Sequence, residues 1–278
     1  MSLPGFRDDA APVQAERRGP FWFARLHRPD RRTALSRPLL EALGSVCSAV
    51  EADQEARALV LWGAGGHFCA GADFAEFERL MTTPVAMQET VRHNRAFGHL
   101  LERLAALPVP TIGVVRGAAV GGGCGLAATL DRVVAADDAT FAMPEVTLGL
   151  APAQIAPLVI RRLGATRARW LMLRATALDA HAAGEAGLAD VVSPVALLGS
   201  AVSAELQALA VAEPQSLRAT KRLVALATTS PLGAALDAGA HEFATLLQAG
   251  AARDGVAAAR ERRRPSWRVD LPTLPEFT

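Results

Sequence analysis

Hydrophobic positions change period several times along this chain, and each change predicts an element. FWFARLH, Phe21 to His27, alternates apolar and polar residues and predicts a strand. From Ser36, a candidate N-cap, the period lengthens. Leu39, Leu40, Leu43, Val46, Cys47 and Val50 then share one helical face. Strands are expected at Ala58 to Trp62, Thr111 to Val115 and Arg132 to Asp138, with a short continuation through ATFAM. Strand, turn and helix alternate, which predicts an α/β fold with a mostly parallel sheet covered by helices. Beyond Ile155 the pattern turns helical, with candidates at 155–163, 166–173, 195–212, 214–228 and 231–249. No Gly/Ser linker or internal repeat divides the chain. The organisation expected is a flexible N-terminal arm over 1–19, an α/β core over 20–210 and a helical region over 211–278.

Composition narrows the function. At 278 residues and 51% hydrophobic, the chain can bury a substantial core. Its 29 basic and 28 acidic residues nearly cancel, so a nucleic-acid surface is not expected. The one basic run, Arg260 to Arg264, suits a solvated helix end or an anionic ligand equally. No apolar run spans a membrane, since the longest, from Pro108, is broken by Arg116 and glycines. The first residues carry no hydrophobic signal core, and Cys47, Cys69 and Cys124 have neither metal spacing nor an even number. Buried, reduced thiols and a cytoplasmic location are therefore expected.

Two segments carry candidate chemistry. PTIGVVR, Pro110 to Arg116, predicts a buried strand that runs into GAAVGGGCG, Gly117 to Gly125, and then a helix. RALVLWGAGGHFCAGADF, Arg57 to Phe74, repeats the theme: strand, glycine-rich turn, small-residue helix start. Glycine lets backbone approach a ligand closely, and the first amides of a helix have no intrahelical acceptor. Two such turns can aim two N–H groups at one oxygen, an oxyanion hole for a thioester or similar carbonyl. The glycine spacing is not a dinucleotide fingerprint, and no G-x-S-x-G serine elbow occurs. His67 and Cys69 lack further ligands for a metal.

In these segments the chain resembles the crotonase family, the enoyl-CoA hydratase/isomerase superfamily. HRPDRRTALS (27–36) resembles its N-terminal motif at the CoA site, and HFCAGAD (67–73) its first oxyanion motif. GAAVGGGCGLAATLD (117–131) resembles the second, FAMPEVTLGLAP (141–152) the catalytic-carboxylate segment, and DGVAAARERRRPSW (254–267) the C-terminal helix. The order is the family's, from about residue 20 to 267.

The resemblance implies a core of ββα superhelical turns and a helical C-terminal region that builds a homotrimer or a dimer of trimers. It gives the oxyanion amides to Ala72 and Gly122, and the catalytic carboxylate to Glu145, whose apolar neighbours Phe141, Met143 and Val146 should raise its pKa. Coenzyme A, as part of the substrate and not as a separate cofactor, would be held by Arg31, Arg32, Ala34, Ala70 and Arg262. Thr33 stands where asparagine is usual, with little consequence expected. Ala259 replaces an aromatic and implies a wider acyl pocket. Asp73 is expected to anchor a helix and Asp131 a turn. Glu76 and Glu78 are expected on a solvated helix surface, with one of them possible at the acyl pocket.

One departure divides the readings. Typical hydratases of the family carry a second glutamate three residues after the second oxyanion glycine, and here that position is Gly125. A single carboxylate suffices to move a proton between carbons, which favours an isomerase. GGGCGL followed by TLGLAPAQIAP instead resembles hydratases of the isohexenylglutaconyl type, which act on branched, carboxylated enoyl-CoAs and also have glycine there. The leading expectation is an enoyl-CoA hydratase. The alternatives are an isomerase, then a decarboxylase or thioester hydrolase, and a catalytically weak acyl-CoA-binding protein. Glutamate at 125 should raise activity on crotonyl-CoA if the helix start tolerates a side chain.

Overall fold

The computed structural model describes residues 10–82 and 87–277. Strand β1 (Val13–Arg18) pairs antiparallel with β2 (Phe21–Leu26) through a turn at Gly19, whose φ of 57° suits glycine. The expected flexible arm is thus corrected over 13–18, while residues 1–9 lie outside the described residues. Val13 and Ala15 enter the core, and buried Gln14 accepts from Arg25 Nε at 2.9 Å. Parallel to β2 run β3 (Ala58–Gly63), β4 (Thr111–Val115), β6 (Arg132–Ala136) and β9 (Val191–Ser193), in the order β1-β2-β3-β4-β6-β9. A second sheet joins β5 (Ala118–Val120), β7 (Thr140–Ala142) and β8 (Leu178–Asp179).

All six residues of β3 are buried because both faces of the sheet are covered. Leu59 and Leu61 face one core with Leu39 and Leu43 of α1 (Arg37–Ala52) and Leu101 of α3 (Met87–Ala106). Val60 and Trp62 face the other, with Val202 and Leu206 of α8 (Leu198–Ala210). The period of two along one strand therefore supplies two cores at once. The helices α2 (Phe74–Thr82) and α4 (Gly122–Thr129) begin at the glycine-rich turns, and α5 (Ala156–Leu163), α6 (Ala165–Arg174) and α7 (Ala180–Ala186) follow β7.

The C-terminal region starts with α9 (Pro214–Ala227), α10 (Leu232–Gln248) and α11 (Ala251–Glu261). It is not helical to its end. Arg262, at φ 54°, stops α11, and the chain returns to the sheet. There Val269 N–H donates to Ala210 O at 3.2 Å, and the Phe277 ring meets Trp62 edge-on at 5.3 Å. Along α10, Leu232, Phe243 and Leu247 are exposed and Leu246 is half-buried, so one chain leaves this apolar face uncovered. Among the described residues no single helix is long and apolar enough to cross a membrane.

Candidate active site

Short bridges stitch the glycine-rich turns side by side. Leu35 N–H donates to Gly71 O at 2.7 Å, and Asp73 N–H donates to Leu35 O at 3.0 Å. Residue 35 thereby bonds both neighbours of Ala72, and in a parallel ladder that turns the Ala72 N–H to the opposite side. Cys69 in turn bonds Ala118 and Val120, at 2.9 and 3.0 Å, and β5 continues into Gly121 and α4. Gly122 is the first residue of α4, so its N–H has no intrahelical acceptor. A Cβ placed on Gly71, whose φ is 91°, would lie 2.6 Å from Val120 O and 3.6 Å from the Gly122 nitrogen. This close backbone approach explains the glycine and sets the Ala72 and Gly122 turns against each other.

Glu145 opens a 3-10 turn, Glu145–Leu148, after β7. Gly121 N–H donates to Ala142 O at 2.8 Å, which ties that turn to the Gly122 loop. Glu145 Oε1 lies 3.0 Å from where a Cβ on Gly121 would stand. Its Oε2 is buried and has no hydrogen-bond partner among the described residues. Burial holds this carboxyl above its ordinary range, opposed only by a bond from its own backbone. The apolar surroundings are not quite those expected. Phe141 and Met143 are buried, but Val146 is 40% exposed, and the nearby group is the Cys124 thiol. The structure thus brings Ala72, Gly122 and Glu145 together.

The expected CoA residues divide. Arg28 Nη1 donates to Ala34 O at 2.6 Å, and Ala70 N–H donates to Arg32 O at 3.0 Å, so 31–34 and Ala70 form one edge beside the Gly71 turn. The side chains of Arg31 and Arg32 are exposed. Arg262 is exposed too, but no contact among the described residues ties it to these loops, and Ala259 is likewise exposed on α11. Thr33 matters more than expected. It is fully buried at φ 54°, unfavourable for a β-branched residue, and its hydroxyl donates to Phe68 O at 2.7 Å. That bond locks the 31–34 turn onto the loop that leads to Ala72.

Other candidates take structural places. Asp73 accepts from Ala75 N–H at 3.0 Å at the start of α2 and pairs with Arg28 at 2.8 Å. Asp131 accepts from Thr111 N–H at 2.8 Å and pairs with Lys221. Glu76 turns toward α1 and accepts from Arg37 N–H at 3.0 Å, whereas Glu78 is exposed. His67 Nδ1 accepts from Ala118 N–H at 3.1 Å, which fixes its Nε2 as the protonated nitrogen. Among the described residues no cluster could hold a metal ion. A cleft of about 480 Å³ between α8 and the tail, lined by Arg116, Leu198 and Phe277, contains none of the expected site residues.

Gly125 overturns one expectation. A Cβ there would stand 2.1 Å from Ile155 Cγ2 and 2.5 Å from Ile155 Cβ. Carbon atoms settle at about 3.5–4.0 Å, so no side chain fits without moving Ile155. A carboxylate cannot simply be restored at 125, because a buried isoleucine occupies its path.

Comparison with known proteins gives the family and the fold. A family model described as enoyl-CoA hydratase/isomerase matches residues 22–270. A crystal structure of an enoyl-CoA hydratase/isomerase from Marinobacter aquaeolei superposes with a TM-score of 0.89 at 33% identity, covering 93% of this chain and 99% of that one. AtuE of Pseudomonas aeruginosa gives 0.89 at 38% identity, covering 93% and 100%. The 2,3-dehydroadipyl-CoA hydratase of Escherichia coli K12 is 32% identical over 245 residues, 87% of this chain and 93% of the relative.

Proposed function

Since the chain belongs to the enoyl-CoA hydratase/isomerase family, we propose that it adds water to a 2-enoyl-CoA thioester with a branched or carboxylated acyl chain. The observation that carries this reading is the Glu145 carboxyl, with one oxygen against Gly121 and the other buried without a partner, one residue from the Gly122 amide. In the proposed step, Glu145 takes a proton from water as the water oxygen bonds to C3. The double-bond electrons move onto the thioester oxygen, which the Ala72 and Gly122 N–H groups hold as an enolate. The enolate then collapses and C2 takes the proton back from Glu145. Every atom of the water ends in the product, with OH on C3 and H on C2.

The raised pKa of Glu145 suits both halves of this exchange. The edge formed by Arg31, Arg32, Ala34 and Ala70 would receive the adenine and phosphate end of CoA. Arg262 could join it from a neighbouring subunit. The uncovered apolar face of α10 supports a homotrimer or a dimer of trimers. Near-neutral charge supports neither a nucleic-acid partner nor a membrane, and a cytoplasmic location fits three buried, unpaired cysteines. A carboxylated acyl chain fits the name of the Escherichia coli relative. The second reading is an isomerase, favoured by the isoleucine that leaves Glu145 as a lone carboxylate beside Gly121.

The test is turnover of crotonyl-CoA against a glutaconyl-type CoA, followed by loss of the conjugated thioester absorbance and by product analysis. Hydration of the carboxylated substrate, with crotonyl-CoA poor, is expected. Fast hydration of crotonyl-CoA defeats the preference for a carboxylated chain, and migration of the double bond with no hydration hands the site to the isomerase.

A further inference from the structure

The wall that crowds Gly125 also carries an amide. Gln154, the residue before Ile155, is half-buried and reaches across to α3. Its Nε2 donates to Asn94 Oδ1 at 2.7 Å. Its Oε1 lies 2.0 Å from where a Cβ on Gly98 would stand, so the amide occupies a gap that glycine leaves in the middle of α3. The next residue back, Phe97, sets its ring edge 3.3 Å from the Cβ position of Gly122. Adjacent residues of α3 thus touch the proposed oxyanion glycine and the Gln154 amide. Ile155, bonded to Gln154, fills the space over Gly125, one turn into α4. With Nε2 committed to Asn94, Oε1 remains an acceptor, and an amide oxygen takes a hydrogen bond without holding a proton at neutral pH.

Building on the hydration reading above, we infer that Gln154 positions the attacking water. Its Oε1 accepts one O–H of the water while Glu145 removes the other proton, so an amide does the orienting work of the absent second carboxylate. Only Glu145 moves a proton, and the balance of the reaction is unchanged. Asn94 is a positioning residue that keeps Nε2 turned away from the water. Gly98 supplies the opening.

Gly98→Ala tests this without removing a polar group. Its methyl takes the place of Oε1 and displaces the flexible end of Gln154, along with the nearby Arg95 Nη1. Alanine is also the better helix former, so the fold should hold its thermal stability. We expect Gly98→Ala and Gln154→Ala to lower kcat for hydration about tenfold, the effect of one hydrogen bond to the reacting water, with KM changed less than about twofold. Exchange of the C2 hydrogen of a saturated acyl-CoA with solvent needs only Glu145 and the two amides, and should stay at the wild-type rate. Asn94→Asp keeps the acceptor and the activity, whereas Asn94→Leu behaves as Gln154→Ala. Gln154→Glu keeps an acceptor and adds a second ionisation to the pH profile of hydration.

Hydration by Gln154→Ala at the wild-type rate overturns the inference alone. A parallel loss of exchange and hydration also overturns it, because the residue then only supports the loop. A wild-type enzyme that exchanges the C2 hydrogen but never hydrates overturns the hydration reading itself, and leaves Gln154 no water to place.

Discussion

Gly125→Ala should destabilise this protein, although alanine ordinarily stabilises a helix. The position lies inside α4, where exchange of glycine for alanine gains about 1 kcal/mol of propensity. Against that gain, the new methyl would stand 2.1 Å from Ile155 Cγ2 and 2.5 Å from Ile155 Cβ. Both distances fall about an ångström or more short of carbon–carbon contact at about 3.5–4.0 Å. Rotating the isoleucine moves Cγ2 but leaves Cβ in place, and Ile155 is 3% exposed, so it cannot swing into solvent. Overpacking of this kind costs about 1–3 kcal/mol, and the upper part of that range applies where a branch atom next to the backbone is the obstacle. The net expectation is a loss of about 1–2 kcal/mol, a fall in Tm of roughly 2–8 °C for a chain of this size.

Thermal unfolding followed by circular dichroism reads this loss directly. The stronger measurement is the cycle with Ile155→Gly, which clears both obstructing atoms. That variant alone should cost about 3–5 kcal/mol for the lost buried side chain. The double variant should be more stable than the sum of the two by at least about 1 kcal/mol. Gly125→Glu, by the same geometry, should misfold or lose stability and gain no hydration of crotonyl-CoA. A Gly125→Ala protein with unchanged or higher Tm, or a strictly additive cycle, would refute the reasoning.

Other outcomes follow from the site and the surface. Glu145→Gln should lower turnover about 10²–10⁴-fold while calorimetry still detects acetoacetyl-CoA, since the proposed oxyanion donors are backbone. No detectable binding to the wild type at millimolar ligand, about −4 kcal/mol, would remove the CoA reading. Because burial raises the Glu145 pKa, its ionisation weakens the fold as pH rises through that pKa. Glu145→Gln should accordingly be the more stable protein at pH 8 and lose that advantage below about pH 4.3, and a pH-independent difference would contradict it. The acid limb of kcat/KM should lie above the ordinary carboxylate range for the same reason. Cys47, Cys69 and Cys124 are buried with pKa pushed up to about 12, so a thiol reagent at pH 8 should label none in the native protein and all three after unfolding. Light scattering should give at least three times the 29.1 kDa of one chain, and a monomer at micromolar concentration would leave the α10 face unexplained.

Where burial follows a simple period, the sequence could be read almost to the residue. Thr111 to Val115 is β4 at the expected bounds, and the α1 stripe from Leu39 to Val50 faces the core, with Leu40 at its half-buried edge. β1 was hidden because an edge strand of VQAERR shows a period only in its first residues, and its buried Gln14 looks like a surface residue until Arg25 is beside it. α3 was missed because its apolar face, Phe97, Leu100, Leu101 and Leu104, fills only the second half of the helix, after a stretch from Gln88 to Arg95 that is polar except for exposed Val91. At the site, the segments that carry Ala72, Gly122 and Glu145 were legible as motifs, and the structure sets them side by side. The lock supplied by Thr33 was not, since nothing in a sequence gives the sign of φ at a threonine. Gln154 and Asn94 stand 60 residues apart, and only the packing of α3 on the loop before α5 joins them.

The isoleucine over Gly125 also has a genetic meaning. Glycine codons GGA and GGG differ from the glutamate codons by a single base, so from either of them glutamate at 125 is one mutation away. In the folded chain that mutation meets Ile155 Cβ at once. An isoleucine codon becomes a glycine codon only through more than one base change, and even alanine at 155 keeps the obstructing Cβ. The order of events is therefore constrained: position 155 must open, at the expense of core packing, before a carboxylate at 125 confers any advantage. Packing at Ile155, as much as the chemistry proposed for Glu145, thus keeps a second carboxylate out of position 125.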